Sequence, residues 1–403
     1  MRRSAELAML MMILSAAVLS AAAGCGLAWA AEDKSQAKVV INGSGATFPM
    51  PVYHEWAKAY EQKKGKKNVQ ISYRGIGSSG GIAHIKAKTV DFGGSDKPLS
   101  SKELDDAGLI QFPMIMGGVV PVIHVEGIRQ GKLKLTPELL VDIFLGKIKK
   151  WNDRRILAVN PELRVPGDDI TVVHRADGSG TTWIFTSYLS KVSNIWKEKV
   201  GSGNSVPWPT GLGGKGNPGV AKLVGKTPGA IGYVEFTYAV KNKLTYVQLQ
   251  NLAGKFVSPQ IGTFQSAAEN ADWEGSEGFS VNLNDQPGEK TWPILGTSYI
   301  VVYKNQPDAE KSQAMLDFFD WCFNNGEWSA RKLDYVPMPK NVVKLVHTLW
   351  KKSVVAGGKD ETPAVIEKPA VGEKTDKPMV SEKSAAGGDA DKPVAADKPA
   401  ADK

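Results

Sequence analysis

The chain has 403 residues, a formal net charge of +8, 42% hydrophobic and 8% aromatic residues. This supports a real core, and the length implies two or three domains. The excess Lys and Arg form no stripe interleaved with aromatics, which argues against nucleic-acid binding. Two cysteines and five scattered histidines argue against a disulfide framework and a metal cluster.

Residues 1–30 read as an export signal. Arg2 and Arg3 form a basic start, Leu7 to Ala23 is an uncharged apolar run, and Ala28-Trp29-Ala30 fits a small-x-small cleavage site. Ala22-Ala23-Gly24-Cys25 also fits a lipoprotein processing site, with Cys25 acylated. Cleavage after Ala30 and lipidation at Cys25 both remain open; either leaves Cys322 without a disulfide partner. Residues 31–38 are a polar lead.

Strands and helices then alternate. Val39-Val40-Ile41 is predicted as a buried strand. The turn Gly45-Ala46-Thr47-Phe48-Pro49 follows it. Val52, Trp56, Ala59 and Tyr60 then mark one helix face, ending near Lys64-Gly65. Val69 to Tyr73 is predicted as a strand, with the turn Gly75-Ile76-Gly77-Ser78-Ser79-Gly80-Gly81 and a helix opening at Ile82 and Ile85. Val90 to Asp96 is a short strand stopped by Lys97-Pro98, and Ser100 to Glu103 looks like a capping segment. Phe112 to Ile123 is a long extended run, and Gly117-Gly118 in its middle suggests a bend or crossover between two bodies. Leu133 to Trp151 is predicted mostly helical.

Asp169 to Phe185 reads as a β-branched strand, a turn of Gly and small hydroxyl residues, and an amphipathic helix buried through Ile184, Phe185, Tyr188 and Leu189. Ser179 or Thr181 stands at the N-cap. Arg175 and Asp177 bracket the turn with charge. Gly211-Leu212-Gly213-Gly214-Lys215-Gly216 has the outline of a nucleotide-phosphate loop. Pro209 stands where its first Gly belongs, however, and Gly216 where its Ser or Thr belongs, so it is read as a structural loop. Gly229 to Val234 is a further strand, Trp292 to Tyr303 a second long crossover, and Ala314 to Phe323 and Val342 to Trp350 are helices. Residues 351–403, rich in Lys, Pro and Ala with near-repeats such as Asp391-Lys392-Pro393, read as a disordered tail.

The turns at Thr47-Phe48, Ser78-Ser79-Gly80 and Ser179-Gly180-Thr181 each follow a strand and precede a helix, where alternating α/β folds bind ligands. Helix N-termini attract anions through free N–H groups and the helix dipole, so the three together suggest an oxyanion site. Asp96 is the exception: a carboxylate beside an anion costs energy unless the anion brings a proton for it to accept. Hydrogen phosphate carries such a proton and sulfate does not. The plainer reading of Asp96 is a loop or cap residue before Lys97-Pro98.

Gly45 to Pro49, Gly75 to Gly81, Val90 to Asp96, Leu145 to Trp151, Arg175 to Thr181 and Gly211 to Asn217, in that order between Val39 and Trp350, closely resemble the periplasmic phosphate-binding proteins of phosphate-specific ABC importers. The resemblance implies an α/β, two-lobed binding protein (type II, Venus-flytrap) with hinge crossovers. Lobe one would comprise residues 39–117 and 297–350, and lobe two 118–296. It implies a periplasmic monomer that binds inorganic phosphate, uses no cofactor, and delivers to membrane permease subunits. Carried over by likeness, Ala46, Thr47 and Phe48 supply backbone N–H and a hydroxyl, and Ser78 a hydroxyl and N–H. Asp96 accepts the phosphate proton, Ser179, Gly180 and Thr181 close from lobe two, and Arg175 contacts phosphate while paired with Asp177. The rival is a phosphate-ester hydrolase using Ser78 or Ser179, which lacks a His–carboxylate pair to activate either serine.

Overall fold

The computed structural model describes residues 38–63 and 68–356. The signal, nearly all of the polar lead, the expected helix end at Lys64-Gly65 and the tail beyond residue 356 lie outside them.

The elements that carry the site are, in order, strand β1 (Val39–Gly45), helix α1 (Met50–Glu61), β2 (Val69–Gly75), α2 (Ser78–Lys86), β3 (Phe92–Ser95), β4 (Leu109–His124), β5 (Thr171–Arg175), α3 (Gly180–Val192), β6 (Leu212–Gly214), α4 (Gly216–Lys226), β7 (Ala230–Glu235), α5 (Phe236–Lys241), β8 (Leu295–Tyr303), α6 (Ala309–Asn325) and α7 (Lys340–Ser353). The strands form one mixed sheet in the order β2-β1-β3-β8-β4-β7-β5-β6. The outer strands are parallel and followed by helices. The two central strands are antiparallel and buried on both faces, which is why they read as near-continuous apolar runs.

The long strand β4 joins the two halves. Its residues Leu109 to Gly118 pair with β8, and Val119 to His124 pair with β7. The exchange of partners falls at the Gly117-Gly118 pair, where the sequence suggested a bend or crossover. A side chain at Gly118 would run into the Phe264 ring, so a residue without Cβ is needed where the halves pack.

Local readings hold in most places. Helix α3 buries Ile184, Phe185, Tyr188 and Leu189 as its spacing predicted, and Ser100 forms a capping box with Glu103. Four expectations change. Helix α1 buries Ala57 rather than Ala59, because Ala57 lies beside Trp56 and Tyr60 on the inward stripe while Ala59 faces solvent. The segment from Leu133 to Trp151 is only partly helical: Lys134–Leu135 is a strand, and the helix Pro137–Phe144 ends ahead of Gly146, which sits at φ 71°. The loop at Gly211 to Gly216 is partly strand, since Leu212–Gly214 pairs with β5. Regular structure also runs past residue 350: α7 continues to Ser353, and Val355–Ala356 pairs with Asn305–Gln306. Cys322 is buried, and burial pushes its thiol up.

Candidate functional site

The three turns meet. Thr47, Ser78, Asp96, Arg175, Ser179 and Thr181 are all buried, although each lies at a strand end, at a helix start or in the turn between them. Strand β1 ends at Gly45 and delivers Ala46, Thr47 and Phe48 to the start of α1. Strand β2 delivers Ser78 to the first turn of α2, β3 delivers Asp96, and β5 delivers Arg175 to Thr181 at the start of α3. Of the two candidate caps, Ser179 is the one used: its Oγ accepts from the Thr182 N–H at 3.0 Å.

The halves of the sheet close directly on each other here. The Ser79 N–H donates to the Gly178 carbonyl at 3.0 Å, and Asn204 Nδ2 donates to Ser79 Oγ at 3.2 Å. Ser78 Oγ accepts two bonds, from the Asp96 N–H at 3.2 Å and the Gly180 N–H at 3.0 Å. Two accepted bonds fill both lone pairs of a hydroxyl, so the Ser78 proton must be donated elsewhere. Thr47 is held in the same way: its Oγ1 accepts from both the backbone N–H and Nδ2 of Asn217, each at 3.0 Å. Its carbonyl accepts from Tyr238 Oη at 2.6 Å.

Asp96 is the one carboxylate among these donors. Burial pushes it up to about 7, against the Ser298 hydroxyl, the Arg175 guanidinium and the Thr181 hydroxyl, which favour its charged form. Ser298 Oγ donates to Oδ1 at 2.9 Å. Arg175 is fixed by Asp177, with Nε to Oδ1 at 2.8 Å and Nη2 to Oδ2 at 2.6 Å. Asp177 also accepts from the Gly216 N–H at 2.9 Å. Burial works against its charge, but Arg175 and the amide prevail and hold its carboxyl below the usual range. Arg175 Nη1 is buried and has no hydrogen-bond partner among the described residues. A buried donor left unpaired is costly, and a bound anion would satisfy this one.

Two predicted residues take roles within the fold. The Ala46 N–H donates to the Gly94 carbonyl at 2.9 Å and the Ala46 carbonyl accepts from Tyr73 Oη at 2.9 Å, so both backbone groups are engaged inside the protein. The Gly180 N–H is turned to Ser78 Oγ. Phe48 anchors its turn by packing edge-on against Tyr335, whose Oη lies 2.6 Å from the Phe48 carbonyl. Among the described residues, the amides of Thr47, Phe48, Ser78 and Thr181 donate to no other group of the chain. No His, Cys, Asp and Glu cluster among those residues could hold a metal.

Sequence reasoning missed Asn217, Ser298 and Glu235. Asn217 stands next to Gly216 in a motif already noted. Ser298 and Glu235 are polar residues inside or ending a buried strand, and that mismatch was a usable signal.

Residues 31–325 match the family described as PBP superfamily domain. The phosphate-binding protein PstS of Xylella fastidiosa strain Temecula1 is 53% identical over 312 residues, covering 77% of this chain and 85% of that protein. The PstS of Haemophilus influenzae is 50% identical, covering 77% and 92%. That of Methanocaldococcus jannaschii is 37% identical, covering 80% and 89%. Among solved structures, a phosphate-binding protein from Stenotrophomonas maltophilia superposes with a TM-score of 0.58 at 18% identity, covering 79% of this chain and 96% of that one. A high-affinity periplasmic phosphate-binding protein gives a TM-score of 0.61 at 21% identity, covering 76% and 93%. These two likenesses bear on the fold, which is α/β and two-lobed.

Proposed function

The chain belongs to the PBP superfamily and, within it, to the PstS phosphate-binding proteins, and from that premise we propose that it binds inorganic phosphate outside the inner membrane and delivers it to the permease of an ABC importer. In this reading it is an exported monomer, free in the periplasm or tethered through a lipid on Cys25. Lobe one is 39–117 with 297–350, and lobe two is 118–296. Phosphate touches both lobes only when they are closed, so binding shifts an open–closed equilibrium and the permease reads the closed form.

The observation that carries the reading is one buried carboxylate among donors from both lobes. Thr47, Phe48 and Ser78 act from lobe one, Ser179, Thr181 and Arg175 from lobe two. Ala46 and Gly180 shape the turns, and Asp177 holds Arg175. Asp96 accepts a proton from hydrogen phosphate and leaves sulfate without a partner; a site built to bond a ligand hydroxyl can reject the analogue lacking it by roughly 10⁴–10⁵. A hydrolase finds no support in the serines. Ser78 Oγ is held by two amides and Ser179 Oγ by its cap bond, and no histidine bonds either.

Calorimetry with phosphate, sulfate and arsenate on the mature protein tests this. Phosphate is expected to bind, with arsenate competing because it is also protonated, and sulfate to give no heat. Equal binding of sulfate and phosphate would overturn the role of Asp96, and no binding of phosphate would overturn the reading as a whole.

A further inference from the structure

Asn217 is buried at the first turn of α4, in the second half of the sheet, yet its side chain reaches the turn that follows β1. Its Oδ1 accepts from the Glu235 N–H at 2.9 Å. A backbone N–H can only donate, so the carboxamide oxygen must face it and the amine must face the other way. That amine donates to Thr47 Oγ1 at 3.0 Å and to Thr181 Oγ1 at 3.1 Å. Its two protons are thereby used, one on each side of the cleft.

The consequence lies in the hydroxyls. Thr47 Oγ1 also accepts from the Asn217 N–H, so both its lone pairs are taken and its own proton has to point away. Thr181 Oγ1 has one lone pair taken. Unconstrained, a threonine hydroxyl is both donor and acceptor and turns to suit whatever faces it.

We propose that Asn217 is a specificity-determining positioning residue: locked by the Glu235 amide, it commits the Thr47 hydroxyl to donate to the bound anion, leaving Asp96 as the acceptor. The proposal rests on the reading that the Thr47 hydroxyl contacts phosphate. Asn217 does not touch the anion in this account; it acts through Thr47, and its bond to Thr181 ties the lobes together once they are closed.

A double-mutant cycle tests the proposal, using phosphate calorimetry on the mature protein with Asn217→Ala, Thr47→Val and the pair. Asn217→Ala is expected to weaken phosphate binding by about 10-fold or more, the size of a lost directed hydrogen bond to a charged group. The loss should shrink clearly in the Thr47→Val background, where no hydroxyl is left to orient. A packing role alone would make the two losses multiply, which would overturn the proposal. In addition, Asn217→Ala frees the Thr47 hydroxyl to accept, so the affinity ratio between about pH 6, where the doubly protonated phosphate is abundant, and about pH 8 should move toward the lower pH; an unchanged ratio overturns the proposal. If Asn217→Ala does not fold, Asn217→Asp keeps the oxygen that receives the Glu235 N–H and replaces the amine by an acceptor. It should weaken binding more than 100-fold in the Thr47 background and by a smaller factor in Thr47→Val; equal factors overturn the proposal. Wild-type protein giving no phosphate heat would instead defeat the functional reading on which the proposal rests.

Discussion

Asp96 and Glu235 are both buried carboxyls, raised chiefly by burial to about 7 and about 8, and their surroundings give them opposite tasks. Around Asp96 the donors come from both halves of the sheet, and in the proposed reading Asp96 is where a ligand proton finds its acceptor. Asp96→Asn should narrow the preference for phosphate over sulfate, because the amide can donate to sulfate and no longer demands a proton; paired titrations with the two anions measure it. Glu235 faces Tyr335, whose Oη lies 2.6 Å from the Phe48 carbonyl and 2.8 Å from Glu235 Oε2. A phenol has one proton, and the carbonyl can only accept it, so the contact with Oε2 uses the proton of a neutral Glu235. A raised folded-state value for an acid means that its contribution to stability is whole below its ordinary value of 4.5 and is lost as pH rises to about 8, at about 1.4 kcal/mol per pH unit. Glu235→Gln should therefore flatten the fall in melting temperature between about pH 5 and pH 8, and a fall as steep as in the unaltered protein would show that Glu235 does not titrate as described.

At the scale of elements, the site is made of helix starts. The first turns of α2 and α3 meet head to head, each bringing amides with no intrahelical partner and the positive end of its dipole. Such an approach requires a residue without Cβ at Gly180, where an added carbon would lie 2.5 Å from both Asp96 Cβ and Ser78 Oγ. In the proposed division those atoms belong to the opposite lobe, so the clash would arise on closure rather than within α3. Gly180→Ala should leave the phosphate-free protein with its original melting temperature and reduce phosphate affinity at least about 10-fold, as expected for overpacking of roughly 1–3 kcal/mol. Thermal unfolding with and without phosphate separates the two effects.

The whole molecule turns on β4, which serves both halves of the sheet, and on the closing contacts across the cleft. The closing contacts named above all join residues within 38–356, so removal of residues 357–403 should leave phosphate affinity within about twofold, a change of less than about 0.5 kcal/mol. Calorimetry on the shortened protein checks this, and a larger loss would give the tail a part in the site.

Much of this was legible in the sequence because it is local. Strand–turn–helix units follow from hydrophobic period and turn chemistry, and the buried face of α3 could be read from four residues. The partner exchange in β4 showed itself as two glycines within an apolar run. The oddity of Asp96 was also visible, because a charge beside an anion needs a reason whatever the fold. What only the tertiary structure decided is how hydrogen bonds are shared between distant segments. Asn217 lies 170 positions from Thr47, and Ser298 lies 202 from Asp96. The direction of a hydroxyl proton depends on which donors reach the oxygen once the lobes are closed. Periodicity and spacing report the faces of elements; they carry no record of which lone pairs a distant amide will fill.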